Sequence, residues 1–108
     1  MTGKASAGTL LYMSPEQVDG QKLGHGTDLY SMAVSIYECL GGEPPFWKGV
    51  IERQIVNKEP GSLRERGVKI SQWAEEALLK GLAKEASSRP GSCGEFVRML
   101  RDADNEPK

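Results

Sequence analysis

The segment that most restricts the fold is DLYSMAVSIYECL, residues 28–40. Nine of its thirteen residues are apolar or aromatic; the other four are Asp28, Ser31, Ser35 and Glu38. Their spacing of i, i+3, i+7, i+10 puts every polar group on one narrow stripe at helical period. A surface helix normally carries an apolar stripe on a polar cylinder. This segment has the reverse pattern, so it needs neighbours around most of its circumference. The rest of the chain is therefore expected to wrap a central helix. With 108 residues the chain fits one small domain, of a size that buries roughly 65% of the surface its unfolded form exposes.

The boundaries of that helix are marked. Thr27 or Asp28 can cap its start, and Asp28 suits the positive end of the helix dipole. Gly41-Gly42 supplies a stop, and Pro44-Pro45 prevents resumption. Earlier in the chain, Ser14-Pro15-Glu16-Gln17 reads as a capping box with proline at the first helical position. It opens a short helix before Gly20 and the loop Gly24-His25-Gly26. Residues 48–57 suit another short helix with Val50, Ile51, Ile55 and Val56 inward, and residues 58–70 read as a charged loop. Ser71 can cap a helix over 72–84 whose inner face holds Trp73, Ala74, Ala77, Leu78, Gly81 and Leu82. Ser92-x-x-Glu95 is a second capping box, opening a helix to about Arg101 with Phe96, Val97 and Leu100 inward. No strand pattern emerges, so the expectation is a mainly α fold over residues 1–101 with a frayed tail at 102–108.

Several function classes recede. A formal net charge of -1 argues against nucleic-acid binding through a basic surface. No apolar run approaches the roughly 20 residues that span a bilayer. The start, Met-Thr-Gly-Lys-Ala-Ser, lacks the apolar core of a signal peptide. The expectation is a cytoplasmic protein with no membrane and no nucleic-acid partner. Cys39 and Cys93 read as small buried hydrophobes in a reducing compartment. One histidine, His25 in a loop, gives no metal signature.

Against this organisation, Gly8-Thr9-Leu10-Leu11-Tyr12-Met13-Ser14-Pro15-Glu16 resembles the end of the activation segment of Ser/Thr protein kinases, with Ser14-Pro15-Glu16 in the place of the family's Ala-Pro-Glu signature. Two further blocks follow in kinase order. Asp28–Leu40 with Gly42-Glu43-Pro44-Pro45-Phe46 resembles the central helix of the large lobe and the loop after it. Lys80-Gly81-Leu82-Ala83-Lys84-Glu85 with Ser88-Arg89-Pro90 and Glu95-Phe96 resembles the last conserved block. The wording is most similar to bacterial-type kinases. Ala33 stands where the family usually has Gly, and Ala86 where it usually has Pro. The sequence contains no Gly-rich loop, no Val-Ala-Ile-Lys lysine, no His-Arg-Asp loop and no Asp-Phe-Gly, the parts that hold ATP and magnesium and position the nucleophile.

The resemblance implies the helical C-terminal lobe of the protein-kinase-like fold, without the N-terminal β lobe and the catalytic loop. It implies a parent enzyme using ATP and Mg2+ to phosphorylate protein Ser or Thr. This chain is expected to be inactive alone, with no cofactor bound and no catalytic residue of its own. Thr9 would bond the catalytic Asp in an intact kinase; as a loop residue it would bond local backbone. Leu10, Leu11 and Met13 would line the pocket for the side chain after the phosphorylated residue, or serve simply as core. Glu16 and Arg89 would form a buried ion pair, bidentate because the guanidinium fork matches a carboxylate. Asp28 would anchor the catalytic loop, and without that loop should face solvent or a substitute donor. Thr2 and Ser6 lie where activation segments are phosphorylated. The arginine that receives such a phosphate belongs to the absent loop, which favours an unmodified end. Trp47, Val50, Ile51 and Ile55 are either a docking surface or helix packing. The partners implied are a protein substrate or the missing kinase half, with self-association through apolar surface left uncovered. Two alternatives remain open: a standalone binding module on this scaffold, and a decaying remnant.

Overall fold

The structure, a computed structural model, describes residues 10–103. They form helices α1 (Pro15–Val18), α2 (His25–Gly41), α3 (Ile51–Asn57), α4 (Gln72–Gly81) and α5 (Cys93–Ala103), with 3-10 turns at Arg64–Arg66 and Ala86–Ser88. Helix α2 is the centre: α4 and α5 pack on it and on each other, while α1 packs on α3. The core joins Leu29, Tyr30, Ala33, Val34 and Tyr37 of α2 to Leu63, Leu78, Leu82 and Phe96.

Helix α2 begins three residues before Asp28. Gly24, in extended backbone, is its N-cap, so His25 is helical rather than in a loop, and Thr27 and Asp28 lie in the first turn rather than at the cap. Thr27 still serves the start, because its hydroxyl accepts the Gly24 N–H at 3.4 Å. The stop falls at the glycines: Gly42 adopts a left-handed φ of 89° and its N–H closes on Glu38 O. Its buried residues, Thr27, Leu29, Tyr30, Ala33, Val34 and Tyr37, all lie in the first four turns, whereas Cys39 and Leu40 in the last turn are exposed. Cys39 is thus no core residue, and Cys93 is half-buried.

Helix α4 ends at Gly81, three residues before the expected 84. Leu82 turns into the core, and the carbonyls of Ala83 and Lys84 leave the helical path to meet Arg89. At Gly81 three helices meet closely: a Cβ there would lie 2.8 Å from Phe96 Cε1 and 3.1 Å from Ala33 Cβ. Trp73 is 48% exposed, because in the first turn of α4 it reaches only the rim of a groove it shares with Met99 and Ala103. Val97 is 47% exposed; the inward stripe of α5 is Cys93, Phe96, Leu100 and Ala103, and Val97 flanks it. Val50 is exposed since it is the N-cap of α3, leaving Ile55 as that helix's buried residue. Helix α5 runs to a buried Ala103, two residues past the expected end. Residues 104–108 of the expected tail lie outside the described residues.

The loop 58–70 is pinned rather than loose. Glu75, in the first turn of α4, accepts from Ser62 Oγ and from the Arg64 N–H, both at 2.9 Å. Lys84 ties the end of α3 to the same block. Its ammonium donates to Ile55 O at 2.7 Å and Gln54 O at 3.4 Å and lies 4.7 Å from the Phe46 ring centroid. A cation among the last carbonyls of a helix meets both their hydrogen-bonding need and the dipole.

Candidate functional site

Residues 10–16 lie against one side of α2. Leu10, Leu11, Tyr12 and Met13 are all half-buried, in a tight turn closed by the Met13 N–H on Leu10 O at 3.1 Å. Ser31 Oγ donates to Tyr12 O at 2.8 Å, and the Tyr12 hydroxyl donates to the Glu38 carboxylate. That bond to an anion, with desolvation adding to it, raises the phenol above its ordinary range. The turn passes into α1 through a complete capping box: Ser14 Oγ accepts the Gln17 N–H at 3.3 Å, and the Ser14 N–H reaches Gln17 Oε1 at 2.9 Å. Serine in place of the family's usual alanine makes this cap available.

Below the turn, the structure brings together Glu16 and Arg89, 73 positions apart. Arg89 Nη1 donates to Glu16 Oε2 at 2.8 Å and Nη2 to Oε1 at 2.9 Å. The remaining Arg89 donors meet carbonyls: Nε on Ala83, Nη1 on Gly26 and Nη2 on Lys84. All five N–H groups of the fork have acceptors. Thr27 Oγ1 donates to Glu16 Oε2 at 2.8 Å. The Arg89 bonds, aided by Thr27, outweigh burial and hold the Glu16 carboxyl at about 2, well below its ordinary 4.5. Arg89 also lies 5.0 Å from the Tyr30 ring centroid, and burial pushes the Tyr30 phenol up to about 12.

Asp28 is exposed in the first turn of α2, where its charge complements the helix dipole. Thr9, Thr2 and Ser6 lie outside the described residues. Of the segment 47–55, Trp47 and Val50 are exposed, Ile51 is half-buried and Ile55 packs inward. Four residues escaped sequence reasoning as members of this site: Tyr12, Thr27, Ser31 and Glu38. Ser31 and Glu38 stood on the polar stripe of α2, which was the available signal. Nothing in that stripe identified the Tyr12 backbone and hydroxyl as what lies across from it.

Beside the ion pair a cleft of about 600 Å³ opens between α1, the start of α2 and the 84–91 segment. Of its cations, Arg89 and Lys84 are bonded to protein acceptors, and Lys22 also lines the cleft. No group of three or more His, Cys, Asp or Glu among the described residues could hold a metal ion.

The family model of the protein kinase domain matches residues 2–100. The chain belongs to the protein kinase family. It is similar to the serine/threonine-protein kinase pkn3 of Myxococcus xanthus, 35% identical over 92% of this chain and 19% of that protein. Serine/threonine-protein kinase A of Synechocystis is 35% identical over 97% of this chain and 21% of its own length. Serine/threonine-protein kinase PknD of Mycobacterium tuberculosis is 31% identical over 94% and 16%. The chain thus spans about a fifth or less of these kinases. Among solved structures, the Rad53 kinase domain superposes with a TM-score of 0.70 over 83% of this chain and 37% of that one, at 19% identity. That likeness is one of fold, and it agrees with a helical C-terminal-lobe portion of a kinase. No helix among the described residues is long and apolar enough to cross a membrane.

Proposed function

We propose that this chain supplies the peptide-receiving part of a bacterial-type Ser/Thr protein kinase. The parent reaction transfers the γ-phosphoryl group of ATP to a protein Ser or Thr hydroxyl with Mg2+. Leu10, Leu11 and Met13 contact the substrate residue next to the acceptor. The ATP and magnesium sites belong to parts of the kinase that this chain does not contain, so the chain alone transfers no phosphate. Its partners are a protein substrate or the other half of the kinase domain, and on this reading it works in the cytoplasm.

The observation that carries the reading is the half-buried turn Leu10–Met13, held to α2 from both the Tyr12 carbonyl and the Tyr12 hydroxyl. A turn of mostly apolar residues fixed this way offers a shaped surface without adding a catalytic group. The test is titration of the isotope-labelled chain with serine peptides carrying either an apolar or an acidic residue after the serine. Shifts at Leu10–Met13 favouring the apolar peptide are expected. No shift there would overturn the receiving role. Incorporation of labelled phosphate into a generic protein, by the purified chain with ATP and magnesium, would overturn the non-catalytic one.

A second reading, a protein-binding module, draws on the exposed side chains of Leu23, Leu40, Trp47, Val50, Trp73 and Val97. Apolar surface of this kind favours association, including self-association. Light scattering at rising concentration separates an associating chain from a monomer.

A further inference from the structure

The polar stripe of α2 divides in two. At about 100° per residue, Thr27, Ser31 and Glu38 fall within about 40° of one another. These three hold the preceding segment: Thr27 through Glu16, Ser31 through the Tyr12 carbonyl, Glu38 through the Tyr12 hydroxyl. Asp28 and Ser35 occupy the other half of the stripe and are exposed. One edge of the stripe is therefore a mooring line for residues 10–16, and the other faces solvent.

Within the line, Ser31 has a distinct task. Glu38 and Thr27 hold side chains, which can swing while the main chain moves. Ser31 alone of the three bonds a main-chain atom of the turn, at 2.8 Å. The Tyr12 carbonyl it engages is one residue from the Met13 N–H that closes the turn. That carbonyl and the Met13 N–H belong to one planar peptide, so fixing it fixes the Cα positions of Tyr12 and Met13 on either side of it and with them the course of the turn.

We propose that Ser31 is a positioning residue for substrate recognition, which its hydroxyl serves by setting the main-chain geometry at Tyr12 and so the shape of the Leu10–Met13 turn. This rests on the receiving role proposed above for that turn. The hydroxyl need not touch the peptide; it acts through the turn.

The test compares the chain with Ser31→Ala and Ser31→Thr, reading amide exchange at Met13 and relative affinity for the two serine peptides. Losing one hydrogen bond of ordinary strength corresponds to about five-fold in an equilibrium. In Ser31→Ala, Met13 exchange is expected to quicken about five-fold while core amides such as that of Tyr37 keep their rates. The preference for the apolar over the acidic peptide is expected to fall by a similar factor. Ser31→Thr, which keeps a hydroxyl, is expected to restore both. Unchanged Met13 exchange would overturn the proposal, as would equal acceleration at every amide, which would make Ser31 only a general contributor to stability. An undiminished peptide preference in Ser31→Ala would overturn it too. If the unaltered chain shows no peptide preference, the receiving role is what fails, and Ser31 then has no recognition to serve.

Discussion

Gly81 of α4 and Ala33 of α2 meet with no room for another methyl group. A Cβ at position 81 would sit 3.1 Å from that of Ala33, with Phe96 Cε1 still nearer at 2.8 Å. Ala33 is fully buried, where the resembling family usually has glycine, so this chain's small residue for the crossing is Gly81.

Gly81→Ala is accordingly expected to destabilise. Overpacking a tight contact costs about 1–3 kcal/mol, and the gain in helix propensity returns up to about 1 kcal/mol. With that return subtracted, the net loss should be about 0–2 kcal/mol in urea unfolding. A gain in stability would mean that Phe96 yields more readily than its full burial suggests.

Arg89→Lys is expected to fail almost as badly as Arg89→Ala. A lysine ammonium has three donors and no planar fork, so it cannot serve the Glu16 carboxylate and the carbonyls of Gly26, Ala83 and Lys84 together. Breaking a buried pair from one side costs about 3–5 kcal/mol. Denaturant midpoints of the two variants should fall close together and far below the unaltered chain.

The pH dependence has a defined sign. The Glu16 carboxyl lies at about 2 when folded, against an ordinary 4.5. A depressed carboxyl contributes stability above its unfolded value, and that contribution is lost as pH falls through the folded value. Stability should decline between about pH 4.5 and pH 2. In Glu16→Gln this group's part of the decline should be absent, so the gap between the two proteins narrows steadily on acidification. A gap independent of pH would contradict the assignment.

Lys84→Met keeps the length of the stem and removes the donor to Ile55 O and Gln54 O. Helix α3 should then fray at its end, with amide exchange in residues 55–58 quickening more than exchange in α2. A charged hydrogen bond is worth about 1.5–3 kcal/mol. Since Lys84 is only half-buried, a loss near the lower end of that range is expected.

Much of this fold was legible because its rules are local. The stripe Asp28, Ser31, Ser35, Glu38 announced a helix with few free sides, and Ser14 with Gln17 announced a cap. What stayed hidden depends on distant partners. The end of α4 could not be read, since the chain leaves the helix to bring the Ala83 and Lys84 carbonyls to Arg89. Trp73 and Val97 carry the right polarity for a core but stand at the rims of their faces, and period alone does not separate rim from centre. The start of α2 was misplaced because Thr27 looked like a cap, when its hydroxyl serves Gly24 from inside the first turn and binds Glu16. The Ser92 box also shifted by one residue: Ser92 Oγ accepts the Glu95 N–H, but the Glu95 carboxylate takes the Gly91 N–H. Ser31 and Glu38 were visible as polar positions, while their partner Tyr12 was not.

A single guanidinium gathers oxygen atoms from four places in the chain: position 16, position 26 and positions 83 and 84. None of these stretches can open while the others remain closed without stranding a charged donor. Helix α1, the root of the central helix and the exit of α4 therefore melt together, and the domain should unfold in one cooperative step rather than peel from either end.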